Sequence, residues 1–104
     1  MSKNNLKEDF DFVEKLIMKN CLGNEQFLSI VIPYLNNDLF ADKHNKKIIE
    51  LLQKYFTKYG RKPTSTELSV FLNSDKLKES YVSVKSNTDT ITEDLDYNTL
   101  YTYI

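Results

Sequence analysis

The chain has 104 residues, which at a typical domain size of about 100 to 150 residues makes one domain and excludes a separate catalytic core. A hydrophobic share of 40%, with six Phe and seven Tyr, supplies enough apolar bulk to fill an interior at this size. Fourteen Lys and Arg against fifteen Asp and Glu give a net charge of -1, which excludes whole-chain steering onto nucleic acid or an anionic membrane and leaves only local charge to act.

Only two Gly and two Pro occur, too few for the frequent turns of a sandwich or barrel, so an all-α fold is expected, a compact orthogonal bundle of about five to six helices. Over 6–21 the apolar residues Phe10, Val13, Leu16, Ile17 and Cys21 recur at three- and four-residue steps, with Glu8, Asp9 and Glu14 ahead of Lys15 and Lys19, as a helix dipole prefers. Gly23 ends this first helix. Asn24 then caps a second through Phe27, Leu28, Val31 and Ile32, where Pro33 either kinks it or starts a short further turn. Asn36-Asn37-Asp38 reads as a turn. The clearest helix covers 43–59, with Ile48, Leu51, Leu52, Tyr55, Phe56 and Tyr59 as its stripe, Asp42 as its cap and Gly60 as its stop. Thr64 and Glu67, three apart before Leu68, Phe71 and Leu72, form a capping box that opens a short helix. From Lys76 a helical step continues through Leu77, Tyr81 and Val84 among the weak helix formers Val82, Ser83 and Ser86, and 86–92 reads as a loop. The tail after Leu95 stays apolar and aromatic to Ile104, where a free terminus is usually polar, so it reads as an interior stretch of a longer chain. Neither a solenoid repeat nor a low-complexity segment is present.

Charge is unevenly distributed. The segment 42–62 carries Lys43, Lys46, Lys47, Lys54, Lys58, Arg61 and Lys62 against Asp42 and Glu50, whereas 86–104 carries Asp89, Glu93, Asp94 and Asp96 with no base. One reading is a basic face for nucleic acid or an acidic partner, opposed by an acidic strip on the same or a neighbouring subunit. The other is the ordinary solvated face of an amphipathic helix. Tyr55, Phe56 and Tyr59 could stack on bases but lie on the apolar stripe and are expected in the core. Tyr97, Tyr101 and Tyr103 are candidates for a subunit interface, and Tyr97 and Tyr101 share a helical face.

Candidate catalytic residues do not assemble. His44 is the only histidine and sits at an expected helix start, as a surface or capping residue. Gly23 and Gly60 are not followed by a Gly-rich phosphate-binding turn, and carboxylate pairs such as Asp9 with Asp11, or Glu93 with Asp94, lie in polar, solvated segments. Cys21, the only cysteine, supplies neither an internal disulfide nor a Cys-based zinc cage and is expected as a small buried residue in a reducing compartment. The run 27–35 is interrupted by Ser29 and Pro33 and falls short of the roughly 20 residues that cross a bilayer, and Met1-Ser2-Lys3-Asn4-Asn5 lacks a signal peptide's apolar stretch. A cytoplasmic chain without a membrane partner is expected. No catalytic, cofactor-binding or metal residue is expected in it.

The order of features over 13–72 resembles the N-terminal domain of replicative hexameric DNA helicases, the DnaB-like group, especially its shorter phage-type members. The resemblance is carried by Phe12-Val13-Glu14-Lys15-Leu16-Ile17, then Phe27-Leu28-Ser29-Ile30-Val31-Ile32-Pro33-Tyr34-Leu35 and Leu39-Phe40. It continues with His44-Asn45-Lys46-Lys47-Ile48-Ile49 leading to Tyr55-Phe56-Thr57-Lys58-Tyr59, and ends with Arg61-Lys62-Pro63-Thr64 before Glu67-Leu68. It implies that 1–104 is the globular helical part of the collar that assembles the ring and docks primase or a helicase loader. The stretch 91–104 is then the start of a truncated helical hairpin. Other subunits of a hexameric ring would be partners, DNA would be engaged through the parent protein, and ATP and Mg would belong only to a motor domain beyond this chain. No catalytic residue carries over. The competing expectation is a stand-alone small helical nucleic-acid-binding or regulatory protein that uses the basic 43–62 face.

Overall fold

The computed structural model describes residues 3–92 and 96–104, with side chains from residue 11 onward other than that of Asn37. Among them are α1 (Lys3–Gly23), α2 (Glu25–Val31), α3 (Lys43–Tyr59), α4 (Ser65–Phe71), α5 (Asp75–Asp89) and α6 (Tyr97–Tyr101), with 3-10 turns at Ile32–Tyr34 and Asn37–Leu39. No strand occurs among the described residues, and the all-α expectation holds. The side chains of Phe10 in the first stripe and of the acidic Glu8 and Asp9 lie outside the described residues, as do Glu93 and Asp94.

Four helices start where a side chain satisfies an orphan amide. Asn24 Oδ1 accepts from Phe27 N (3.0 Å) to open α2, and Asp42 Oδ1 accepts from His44 N (2.8 Å) and Asn45 N (3.0 Å) to open α3. At α4, Thr64 Oγ1 accepts from Glu67 N (3.2 Å) while Glu67 Oε1 accepts from Thr64 N (3.0 Å), which completes the capping box. Ser74 Oγ accepts from Leu77 N (3.2 Å) at α5. Pro33 stands in the 3-10 turn Ile32–Tyr34, so the chain takes the short further turn rather than a kinked α-helix. Gly60 ends α3 at φ +69, in the left-handed region, and donates its N–H to Phe56 O at 2.7 Å.

The core is one cluster. Val13, Leu16, Ile17, Met18 and Cys21 from α1 join Phe27, Leu28 and Val31 from α2, Ile48, Ile49 and Leu52 from α3, Val84 from α5 and Leu100 from α6. Helix α3 packs chiefly on α5, and α1 on α5 and α2. Tyr59, expected at the end of the α3 stripe, stands exposed instead, its ring 4.5 Å from that of buried Tyr55.

The structure corrects one boundary. The polar stretch 86–92, expected as a loop, is helical as far as Asp89. Ser80, Val84 and Thr88 recur every four residues and are all buried, so α5 presents a continuous inner row of which two members are hydroxyl residues and escape an apolar count. Lys85 Nζ also pairs with Asp89 Oδ1 at 3.3 Å, one turn on. Packing thus overrides the weak propensity of Val82, Ser83 and Ser86. After α5 the tail folds back onto α1 through α6, whose Leu100 is fully buried.

Candidate functional site

The seven basic residues of 42–62 fall into three environments. Lys43, Lys47, Lys54 and Lys58 are all exposed on α3, and at 3.6 residues per turn they share an arc of about 60° opposite the buried Ile48, Ile49 and Leu52. Glu50 is exposed about 20° beyond the edge of that arc and offsets one charge. Lys46 lies outside the arc and is half-buried, as is Lys62 beyond the Gly60 turn. Lys58 Nζ stands 5.3 Å from the centre of the Tyr59 ring.

Arg61 is taken out of that surface by its neighbours. Its Nη1 and Nη2 donate to Glu67 Oε1 and Oε2 at 2.7 and 2.8 Å, a two-pronged pair, and its guanidinium carbon lies 5.5 Å from the centre of the Tyr55 ring. Tyr55 donates its hydroxyl to Glu67 Oε2, and Thr64 N bonds the other oxygen. The Arg61 hydrogen bonds first, then those from Tyr55 and the Thr64 amide, hold the Glu67 carboxyl well below the usual carboxylate range. This corner fixes the turn from α3 to α4.

The three candidate tyrosines separate. Tyr97 and Tyr101 both lie against Phe27, with ring centres 5.3 and 5.8 Å from it, and Asn24 Nδ2 donates to the Tyr97 hydroxyl. Asn24 therefore caps α2 and holds α6 as well. Tyr103 instead borders a small cleft of about 160 Å³ with Val13, Ile17, Leu39 and Phe40. Tyr101 also lines a second apolar groove of about 270 Å³ with Ile30, Val31, Tyr34 and Ile104. There Ile30 is 46% exposed and Tyr34 70% exposed, although both belong to the longest apolar run of the sequence. The sequence reading did not single these two out. Their signal was register: Phe27, Leu28, Val31, Ile32 and Leu35 make the buried stripe, and Ile30 and Tyr34, four apart, fall off it.

His44 is half-buried, and its Nδ1 lies 2.9 Å from the buried Ser80 Oγ, so it ties the start of α3 to α5 rather than capping a helix. Cys21 is fully buried, and burial pushes its thiol up to about 12. A cleft of about 460 Å³ between the ends of α1 and α5 contains Lys19 and Lys85, but Lys19 Nζ donates to Ile91 O at 3.2 Å and Lys85 pairs with Asp89. Asp89, one of the acidic tail residues, is thereby partnered, and Asp96 lies at the start of α6. Among the described residues no three His, Cys, Asp or Glu side chains converge as a metal site, and no helix is long and apolar enough to cross a membrane.

The geometry offers two kinds of surface, a lysine row on α3 and an apolar groove where α2 meets the tail. Comparison of the chain with protein-family models, with curated proteins and with solved structures returns no match.

Proposed function

We propose that this chain is an assembly and partner-docking domain, serving as the N-terminal domain of a replicative DNA helicase of the DnaB-like, phage type. The reading is carried by the order of elements. Over 13–72, the stretch of the resemblance, the chain forms a long helix, an Asn-capped helix ending in a Pro turn, an Asp-capped 17-residue helix and a Thr-capped short helix. The exposed Ile30 and Tyr34 beside half-buried Tyr101 support docking, because aromatic and aliphatic side chains gathered at a groove are the composition of protein interface centres. Primase or a helicase loader is the proposed occupant, and ring neighbours supply further contacts. The domain itself performs no catalysis, and ATP hydrolysis belongs to a motor in the parent protein.

The test is to read the gene beyond the Ile104 codon. A helical segment and then a strand leading into a Gly-Lys-Ser/Thr phosphate-binding loop within a few hundred codons supports the reading. A stop codon there sinks it and leaves a stand-alone helical binding protein. In solution the 104-residue chain is expected to be monomeric or weakly dimeric, and light scattering that gives a stable hexamer at low micromolar concentration would contradict that expectation.

A further inference from the structure

The geometry points to a second binding site on the outer face of α3: Lys43, Lys47, Lys54 and Lys58 form a row that takes the phosphodiester backbone of a nucleic acid without reading its sequence. This inference stands independently of the helicase reading.

The row is straight because it lies on a single 17-residue helix. Its lysines fall at steps of four, seven and four residues, so at 1.5 Å per residue the outermost two are about 22 Å apart along the axis. One strand of a duplex places a phosphate every 3.4 Å of axis, so about six phosphates run alongside it. The helix is rigidly held. Ile48, Ile49 and Leu52 anchor its opposite face, the Asp42 cap fixes its start, Gln53 Nε2 bonds Leu35 O at 2.7 Å, and Gly60 stops it. The charges are therefore presented on a fixed backbone rather than a mobile tail.

The composition of the face identifies its partner. Along one edge of the row Glu50, Gln53 and Thr57, with Lys54 and Lys58, line a shallow open depression of about 370 Å³. No large apolar side chain is exposed on that arc to anchor a folded protein. Protein interfaces are depleted in Lys and centred on aromatic anchors, whereas nucleic-acid interfaces are polar and strongly basic. By this criterion the Ile30 and Tyr34 groove fits a protein, and the α3 row fits a polyanion. The lysines lack arginine's planar fork and act as point charges spaced along a straight helix, which matches a line of phosphates rather than the edge of one base. A net charge of -1 also means that attraction operates only when this face is turned to the strand, which makes the contact local and oriented.

Fluorescence anisotropy with a labelled mixed-sequence 20-nucleotide single strand, and with the corresponding duplex, tests the assignment on the full chain. Four phosphate contacts predict that raising NaCl from 50 to 200 mM weakens binding about 50-fold on the single strand and about 150-fold on the duplex, irrespective of sequence. K54Q/K58Q should halve the logarithmic salt slope, whereas K76Q/K78Q, which removes the same net charge from exposed positions on α5, should leave it unchanged. The four-lysine variant K43Q/K47Q/K54Q/K58Q should show no salt-dependent binding while keeping the wild-type helical circular dichroism. The assignment is overturned by absence of binding at 50 mM NaCl and 100 μM protein, by equal losses from the α3 and α5 pairs, or by poly-glutamate displacing the strand as effectively as unlabelled DNA of equal charge.

Discussion

The outer face of α3 and the groove between α2 and α6 are both open to solvent, yet they are built by opposite means. On α3 a strong amphipathic helix buries most of its apolar stripe, with Tyr59 exposed only at its last turn, and leaves lysines, Glu50 and Thr57 outside. At the groove, a seven-residue helix followed by a Pro turn cannot bury all of its apolar residues on one side, so Ile30 and Tyr34 remain outside next to the returning tail. A long regular helix sorts its residues cleanly by face. A short interrupted one leaves some behind, and these become the exposed apolar surface. The lesson is that exposure alone says little about a partner, whereas the chemistry of what is exposed separates a polyanion from a protein.

The contrast can be broken experimentally. The largest effect is expected from Leu100→Ala, which opens a cavity at the one fully buried position of α6 and should cost about 2–5 kcal/mol in urea unfolding. Because the tail walls the groove, loss of partner binding should accompany it, and DNA binding should persist wherever the chain stays folded. Ile30→Asp with Tyr34→Asp should weaken binding of purified primase or loader about 30-fold or more, the scale of a lost interface anchor near 2 kcal/mol, without altering the salt slope on DNA. A parallel fall in both activities would mean that the two surfaces are one.

Asn24→Ala removes the α2 cap and the bond to Tyr97 together, so about 0.5–2 kcal/mol should be lost by the same unfolding assay, with the tail loosened relative to α3 in hydrogen exchange. The corner at Glu67 predicts a pH dependence. Its folded carboxyl is held below the ordinary value of 4.5, so its stabilising contribution is complete above that pH and is lost as the pH falls below it. Glu67→Gln lacks that contribution at every pH, and the gap between its urea midpoint and the wild type should narrow from about pH 5 to pH 3. A constant gap would place the role of Glu67 in packing instead. Smallest of all, the four lysines of α3 replaced by Gln should shift stability by about 0.5 kcal/mol or less per site, since exposed side chains away from caps and core contribute little.

Much of this architecture was readable from local signals. The Asn24, Asp42 and Thr64 caps and the Gly60 stop each combine a specific side chain or backbone conformation with a specific offset, and such signals need no tertiary information. What was not readable depended on packing between helices. The end of α5 is held by the burial of Thr88, which composition counts as polar, and His44 found its partner in Ser80, 36 residues away. At the candidate surfaces, charge counting gathered seven bases into one face, and only geometry separated Arg61, bound to Glu67, and the half-buried Lys46 and Lys62 from the four that form the row. Conversely, the exposure of Tyr34 was encoded in its register against the stripe of α2, a signal obscured by the apolar character of the whole run.

Cys21 gives the molecule an internal clock. Its sulfur lies in the middle of the bundle with no solvent contact, and its proton is held up to about 12, so a thiol reagent in neutral buffer meets neither access nor thiolate while the helices are closed. Labelling then proceeds only through moments when α1 separates from its neighbours, and its rate counts those moments. Because α1 adjoins α5, which packs on α3, and also α2 and α6, which border the groove, the same rate measured with DNA or with a protein partner present would tell which surface, once occupied, slows the opening of the whole.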